Sequence, residues 1–542
     1  MEEHPLANST HLGNGEQSVT HAVLVDAPKR DWRFWFSFLA ICISVFIAAL
    51  ELTGVSTALP IIVDDLKGTE FLWAGSAYAL AATAFIPFNG GLAELFGRRL
   101  VLLWSLLIFA GGSALCGAAN SLNFLIAGRA VQGMGGGGLA SLTQIILSDL
   151  VPLHDRGKFN GLIAMSYGIA SGVGPVIGGS LAQQGQWRWL FYLNIPICGF
   201  AAVLVFAFLR LRVPPGTFWE KTKRIDWLGN LFFVACTTSC VIGLTWGGIQ
   251  FSWGAAQILV PLLFGLIGLG CFIVYESKVP TNPIISFTLM STRTGFSGYL
   301  QTFFTSIVLL AVIYYLPVYF QACKGASPIA SGVDVFGTAF SIVPAGILSG
   351  LSIAKTKQYR PQLWLAWVLI IIEMGLLSTL NADSSRASAI GFQVIGGCGM
   401  GILVTSAYFP VLAPLPVSKN ANAIAFFMFC RNFAQIWGVT IGGTVLQNML
   451  RLRLPDKFLA SFPQGTAIAY KVIPLLSNLE EPLKTEVRDA FASSLRVVWQ
   501  VMIGVGALGL LASLAMEHLP LHTSIDEKWG IADSEHKQNN TL

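Results

Sequence analysis

Four ionisable side chains lie inside long apolar stretches of the sequence, and their types are those that move protons or hold charged ligands. They are Glu51, Arg129, Glu373 and Arg431. A charge at membrane depth costs several kcal/mol unless it is paired or wetted, so each of these residues is a functional candidate. The carboxyl groups suggest proton uptake and release, and the guanidinium groups suggest pairing with a carboxylate or contact with a substrate.

Two of these residues are placed so that they can meet. Glu51 lies about nine residues from the outer end of the first apolar run, and Arg129 lies about seven residues from that of the fourth, so the helical rise puts them roughly 13 and 10 Å deep. Because burial disfavours a charged carboxyl and a guanidinium favours it, such a carboxyl could gain and lose a proton. A static structural ion pair is the alternative interpretation.

The other two residues allow two interpretations each. Glu373, in LIIIEMGLL, lies near the middle of its run. It could be a second proton site or a substrate contact, or it could face a wet crevice without any coupling role. Arg431, in FCRNFAQ, could contact a substrate or could pair with backbone carbonyls or a neighbouring helix.

The stretch RAVQGMGGGGLASL, residues 129–142, matches the dinucleotide fingerprint G-x-G-x-x-G through Gly133, Gly135 and Gly138. A dinucleotide turn joins a strand to a helix, however, and these glycines lie within an uninterrupted apolar run from residue 122 to 147. Glycines on a membrane helix let neighbouring helices approach closely. We therefore interpret the stretch as a packing face and expect no nucleotide site.

The elements that hold these residues are predicted to be membrane helices. The chain has 542 residues, of which 54% are hydrophobic and only 11% charged, whereas soluble proteins carry about 25% charged residues. Apolar runs of membrane-spanning length recur along the whole chain and give about fourteen spans. The sequence thus predicts an all-α polytopic membrane protein.

The basic residues favour the connections on one side of the membrane, which predicts a cytosolic location for both termini. The sequons at Asn8 and Asn539 then lie in cytosolic tails and should stay unmodified. The predicted organisation is an N-terminal tail (1–33), a first six-helix bundle (34–210), a cytosolic linker (211–226), an inserted hairpin (227–276), a cytosolic loop (277–296), a second six-helix bundle (297–516) with an extracellular loop (447–492), and a C-terminal tail (517–542).

Several function classes are disfavoured by what the sequence contains. It has no G-x-x-x-x-G-K-[ST] motif, which argues against an ATP-driven pump. Its seven histidines lie in tails, in a loop or at a span edge, which argues against a membrane haem or di-iron enzyme. None of its nine cysteines forms C-x-x-C. We expect no enzyme activity, no cofactor, no bound metal and no nucleic-acid partner.

Seven motifs resemble the fourteen-span drug:proton antiporter branch of the major facilitator superfamily, in its fungal form. The likeness extends over roughly residues 45 to 450 and implies a major facilitator fold of two six-helix bundles plus an extra two-helix insertion. The motifs are LELTGVSTALPIIVDDL (50–66), GGLAELFGRRLVLL (90–103), LIAGRAVQGMGGG (125–137), GLIAMSYGIASGVGPVIGG (161–179), WRWLFYLNIPICG (187–199), LTWGGIQFSW (244–253) and YYLPVYFQACKGASPIASGV (314–333).

The resemblance also implies roles for individual residues. Arg129 occupies the position of an arginine implicated in proton transfer, and Glu51 stands where the branch has aspartate. Glu94 likewise replaces an aspartate, and Ala170 replaces a glycine in the motif that marks exporters. The implied gating residues are Gly90, Glu94, Gly97, Arg98 and Arg99 in the loop motif and Gly174, Pro175, Gly178 and Gly179 in the fifth span.

The predicted function is proton-coupled efflux of small amphipathic organic molecules by alternating access. The alternatives are a proton-coupled importer of a nutrient or iron chelate, and a sensor that has lost transport. Expected partners are the bilayer, a small-molecule substrate and protons, and the chain should act as a monomer in the plasma membrane or the vacuolar membrane. Weak candidates for substrate contact are Tyr78, Phe303, Tyr314 and Arg431.

Overall fold

The computed structural model describes residues 31–66, 71–153, 155–213, 216–247, 251–279, 289–416, 419–459 and 468–521. These ranges are helical almost throughout and contain no β-strand, which confirms the all-α prediction. The two sequons, at Asn8 and Asn539, lie outside the described residues, as do most of both predicted tails.

The first part of the chain forms a bundle in which α1 packs against α5 and α7, and α4 packs against both α2 and α3. The helices are α1 (Trp32–Asp65), α2 (Phe71–Phe96), α3 (Arg98–Gly117), α4 (Leu122–Leu150), α5 (Arg156–Gln183), α6 (Arg188–Tyr192) and α7 (Asn194–Phe208).

A hairpin follows, in which α9 packs against α10 and also against helix α2 of the first bundle. A short helix precedes it and is closed by a reciprocal capping box between Thr217 and Glu220. These helices are α8 (Phe218–Lys223), α9 (Trp227–Trp246) and α10 (Ala256–Lys278).

The remaining helices form a second bundle, in which α15 packs against α13 and α14, while α11 packs against α17 and α20. They are α11 (Arg293–Lys324), α12 (Pro328–Asp334), α13 (Phe336–Thr356), α14 (Arg360–Leu377), α15 (Arg386–Ser406), α16 (Phe409–Leu412), α17 (Asn420–Arg453), α18 (Asp456–Leu459), α19 (Ile468–Val472) and α20 (Leu483–Leu514), with a 3₁₀ turn at Ile473–Asn478.

Thirteen helical segments of the described chain are long and apolar enough to cross a membrane. Helix α4 lies outside this set because its glycines and polar residues lower its mean hydropathy, although its 29 residues are sufficient to span. Its packing between α2 and α3 places it inside the bundle. With α4 the described residues contain fourteen long helical segments, in agreement with the predicted number.

Several helices continue beyond the apolar runs that predicted them. Helix α17 extends to Arg453 and α20 begins at Leu483, so both enter the predicted loop 447–492. Hydrogen bonding within a helix does not depend on a surrounding hydrocarbon layer, and the hydropathy of a run therefore underestimates helix length.

The two bundles contact each other most extensively where α5 packs against α13 and α2 against α17, and α4 also packs against α17. Glycines make the approach close. A Cβ added to Gly157 of α5 would lie 2.7 Å from the Cα of Gly350 in α13, and one added to Gly90 of α2 would lie 2.6 Å from the Cβ of Ala425 in α17. Side chains of α13 also pack against glycines of α5, since a Cβ added to Gly161 would lie 2.7 Å from Cγ1 of Ile347.

Candidate functional site

The site centres on the carboxylate of Glu51, which is fully buried in α1. Arg129 of α4, only 2% exposed, donates from Nη1 to Oε1 of Glu51 in an ion pair. Asn194, at the start of α7, donates from Nδ2 to Oε2 at 2.5 Å. Three helices therefore converge on one carboxylate, and the structure brings together the two residues that the sequence analysis paired.

A second layer of side chains holds the guanidinium in position. Arg129 also donates to Oε1 of Gln132 at 2.8 Å, and Gln132 in turn donates to Oγ of Ser113 in α3 at 2.8 Å. On the other side, the guanidinium carbon lies 4.8 Å from the centre of the Tyr78 ring in α2. This cation–π contact and the hydrogen bond to the Gln132 side chain leave the Arg129 guanidinium little rotational freedom.

The glycines of α4 explain how α2 and α3 come close enough to build this layer. A Cβ on Gly136 would collide with the hydroxyl of Tyr78, and one on Gly135 would lie 2.7 Å from the carbonyl oxygen of Ser105. The stretch that matches a dinucleotide fingerprint is thus a continuous helical packing face, and the structure supports that interpretation over a nucleotide turn.

Chemically, the arrangement couples protonation of Glu51 to the state of Arg129. Protonation of the carboxyl would remove the charge that neutralises the guanidinium, which would then be left buried without its counter-charge. Asn194 contributes a neutral donor that keeps the carboxyl oriented in either state. Asn194 was not among the predicted site residues, because burying an amide in an apolar run costs less free energy than burying a charge. The available sequence signal was its position in LNIPICG, two residues before Pro196.

The loop motif between α2 and α3 forms a second charged site. Arg98 of α3, almost fully buried, donates from Nε to Oδ2 of Asp149 at 3.0 Å and from Nη1 to the carbonyl of Ala93 at 2.8 Å. Glu94, the acidic residue of the same loop motif, is half-buried in the last turns of α2. Asp149, at the end of α4, is a partner of Arg98 that was not among the predicted site residues.

The remaining residues of the loop motif shape the α2–α3 connection. Arg99 donates to the carbonyl of Phe206, and its guanidinium carbon lies 4.8 Å from the ring of that residue in α7. Gly97 separates the two helices with a φ of 93°, a left-handed conformation that favours glycine. Gly90 contributes the close contact with Ala425 described above.

The fifth-span motif lies against α1 and near α12. A Cβ on Gly174 would lie 3.1 Å from the backbone nitrogen of Gly54, three residues beyond Glu51. Gly178 is buried, and a Cβ on Gly179 would be 4.0 Å from the side chain of Ile329. Pro175 lies in the same helix, but its side chain is outside the described part of the structure.

Glu373 lies far from this site in the architecture, on α14 of the second bundle. Its side chain is fully buried, and neither carboxyl oxygen has a hydrogen-bond partner among the described residues. The carboxyl group occupies the space beside Gly396 of α15, where the Cβ of any larger residue would be. It is packed between α14 and α15 in this conformation, and its predicted roles stay predictions.

Arg431 and Tyr314 face interior space between the bundles. Tyr314 of α11 is 40% exposed and Tyr167 of α5 is 38% exposed, and both residues lie away from the ends of their helices. Tyr314 lies within electrostatic reach of Arg129 and Tyr167, and Tyr167 within reach of Arg431. This electrostatic proximity links Tyr314 of the second bundle to Arg129 of the first, and Tyr167 of the first bundle to Arg431 of the second.

Arg431 of α17 is half-buried and lines a small cavity with Thr302, Ser306 and Phe427. Within the described ranges it forms no hydrogen bond and no ion pair. Its electrostatic neighbour is the phenol of Tyr167 on α5, and both interpretations of Arg431 stay predictions.

The other two weak candidates for substrate contact differ from Arg431 and Tyr314. Tyr78 is buried beneath Arg129, so its ring is not available to a ligand in this state. Phe303 is half-buried in α11 and packs edge-on against Phe304, with ring centres 5.9 Å apart. Among the described residues no group of three or more His, Cys, Asp or Glu is arranged to hold a metal ion.

Comparison with known proteins adds evidence that the geometry alone does not supply. The sequence profile of the Major Facilitator Superfamily matches residues 41–439 of the chain. The efflux pump FUS6 of Gibberella fujikuroi is 38% identical over 538 residues, which cover 97% of this chain and 96% of that protein. The MFS-type efflux pump LUC4 of a Fusarium species is 37% identical over 522 residues, which cover 94% of this chain and 92% of that protein.

Among solved structures, the human organic anion transporter MFSD10 (TETRAN) superposes with a TM-score of 0.59. The superposition covers 89% of this chain and 100% of the MFSD10 chain, at 13% sequence identity. At that identity the likeness shows the fold alone.

Proposed function

Because this chain belongs to the major facilitator superfamily, and is therefore a membrane transporter and not an enzyme, we propose that it exports small amphipathic organic molecules in exchange for protons. The family predicted from the motifs is confirmed. The efflux direction is supported by relatives that are named efflux pumps and align with nearly the whole chain. The observation that carries the proton coupling is the buried carboxylate of Glu51, held between Arg129 and Asn194.

The proposed coupling begins with a proton from the outer side reaching Glu51. The protonated carboxyl no longer neutralises Arg129, and this change favours the conformation in which the guanidinium finds other partners or water. Export requires that the two conformations differ in their affinity for the proton and for the substrate. Release of the proton on the inner side restores the ion pair and resets the transporter.

The proposed movement is a rocking of the two bundles, residues 34–210 and 297–516, about the cavity between them. The contacts of α5 with α13 and of α2 with α17 are close because glycines face the partner helix, and these are the contacts that would open and re-form. The Arg98–Asp149 pair joins α3 to α4 within the first bundle and keeps that half rigid. Both termini would be cytosolic, and the transporter would act as a monomer in the plasma or vacuolar membrane.

The test compares wild type with Glu51→Gln in proteoliposomes carrying an imposed pH gradient. Glutamine keeps the size and the hydrogen-bonding oxygen but cannot release a proton. We expect gradient-driven accumulation of a transported dye to fall at least about tenfold, which corresponds to roughly 1.4 kcal/mol, while downhill exchange without a gradient persists.

Glu220→Gln serves as the matched control, since Glu220 only closes the capping box of a short exposed helix. It should leave gradient-driven transport unchanged. Gradient-driven accumulation by Glu51→Gln at the wild-type rate would show that this carboxyl is not the coupling site.

A further inference from the structure

The charges of the described membrane helices do not balance around the central cavity. Arg129 is neutralised by Glu51, and Arg98 is paired with Asp149. Arg431 has no acidic partner in the part of the chain that the structure describes; its electrostatic neighbour is the phenol of Tyr167. The cavity therefore contains one uncompensated guanidinium.

The only other carboxyl group buried within a described membrane helix of the second bundle, apart from residues near helix ends, is that of Glu373. It lies between α14 and α15 against Gly396, and no charged residue acts on it. It cannot serve Arg431 as a counter-charge in this arrangement. A charge left unneutralised by the protein is balanced most directly by the ligand.

The surroundings of Arg431 fit a ligand with one acidic end and an apolar body. Hydroxyl groups of Thr302 and Ser306 line the cavity beside the guanidinium, and Phe427 lines it on the apolar side. The planar fork of a guanidinium matches a carboxylate with two parallel hydrogen bonds. The ring of Tyr167 on α5, which lies within electrostatic reach of Arg431, suits the apolar remainder of such a molecule.

We propose that Arg431 binds the acidic group of the exported molecule, so that the substrates are amphipathic organic anions, carboxylates in the first place. This inference rests on the proposed efflux function and names the substrate class of the same cavity. Arg129, occupied by Glu51, does not take that part in this state. The apolar body of the substrate lies along Tyr167 and Tyr314, across the boundary between the bundles.

The experiment uses three probes that share one aromatic body and differ in their head group: pyrenebutyrate, pyrenebutanol and pyrenebutylamine. Their binding to the full-length chain in lipid nanodiscs is measured by fluorescence without any ion gradient. We expect wild type to bind the carboxylate at least about tenfold more tightly than the alcohol, and the amine most weakly.

Two variants assign the preference to its residue. Arg431→Gln should reduce the carboxylate-to-alcohol ratio to within about twofold of unity, while Arg431→Lys should keep a clear preference because the charge remains although the fork is lost. Asn432→Ala, on the next position of α17, is the control and should bind like wild type, since the Asn432 amide donates to the backbone of Met428.

Three outcomes would overturn the proposal. Wild type could bind the carboxylate no better than the alcohol, which decides the matter even if a variant fails to fold. Arg431→Gln could retain the preference, or Arg431→Lys could lose it completely. Because binding is measured without a gradient, none of these results depends on proton coupling, and a failure of the Glu51 test would leave them unaffected.

Discussion

At the scale of single residues, the two fully buried carboxyl groups of Glu51 and Glu373 have different surroundings. Glu51 has two polar partners from other helices, whereas Glu373 has no hydrogen-bond partner in the described chain and touches the Cα side of Gly396. Its fit against a glycine makes the α14–α15 contact dependent on the size of both residues.

Replacing Gly396 with alanine should therefore destabilise the protein by about 1–3 kcal/mol, because the new methyl group takes the space of the Glu373 carboxyl. Thermal unfolding in detergent measures the loss. In a Glu373→Ala background the same change should cost much less, since the colliding group is gone.

The matched control is Gly391→Ala on the same helix, where an added Cβ meets nothing within 4 Å. It should leave the unfolding temperature nearly unchanged. Equal effects at positions 391 and 396 would mean that helix propensity, and not contact with Glu373, determines the outcome.

At the scale of helices, the close approach of α5 and α13 sets how far the two bundles can close at that end. Gly157→Ala places a methyl group 2.7 Å from the Cα of Gly350, and backbone cannot move aside as a flexible side chain would. We expect the variant to favour the conformation in which this end is open and to transport several-fold more slowly.

Spin labels at Lys158 and Lys355, both exposed near this contact, report the change directly. The distance distribution between them should shift to longer values in Gly157→Ala. Gly172→Ala on the same helix, where a Cβ meets nothing within 4 Å, should give the wild-type distribution. An unchanged distribution in Gly157→Ala would show that this contact does not limit closure.

For the helices, the sequence predicts the depth of a residue but not the direction of its side chain. Hydropathy gives the depth of a residue within a span, and so the equal depths of Glu51 and Arg129 predicted their meeting. It does not give the direction in which a side chain points when a helix is apolar on every face. For this reason Glu373, on α14, could not be separated beforehand from a residue lining the cavity.

Neutral polar residues were the other weak point of prediction. Asn194 and Gln132 complete the site around the Glu51–Arg129 pair, yet an amide in an apolar run carries little cost and so draws little notice. Asp149 was not recognised because it lies at a helix end, where charged residues are common. The charged pair was thus predictable, and the neutral groups that orient it were not.

At the scale of the whole molecule, the all-α fold and the number of long helices followed from length, hydropathy and motifs. The spacing between the bundles did not, because it depends on which glycines face one another across α5 and α13 or α2 and α17.

The uncompensated guanidinium in the cavity has an electrical consequence. If one proton enters for each organic anion that leaves, every cycle carries two elementary charges in the same sense across the bilayer, worth about 4.6 kcal/mol at 100 mV. An interior-negative voltage should then accelerate export of pyrenebutyrate more than that of pyrenebutanol, as a valinomycin-imposed diffusion potential would measure; equal responses would contradict this.

Such a transporter draws on voltage as well as on acidity. A cell in neutral surroundings has almost no pH difference across its membrane. It would still expel an acidic product as long as the membrane stays polarised.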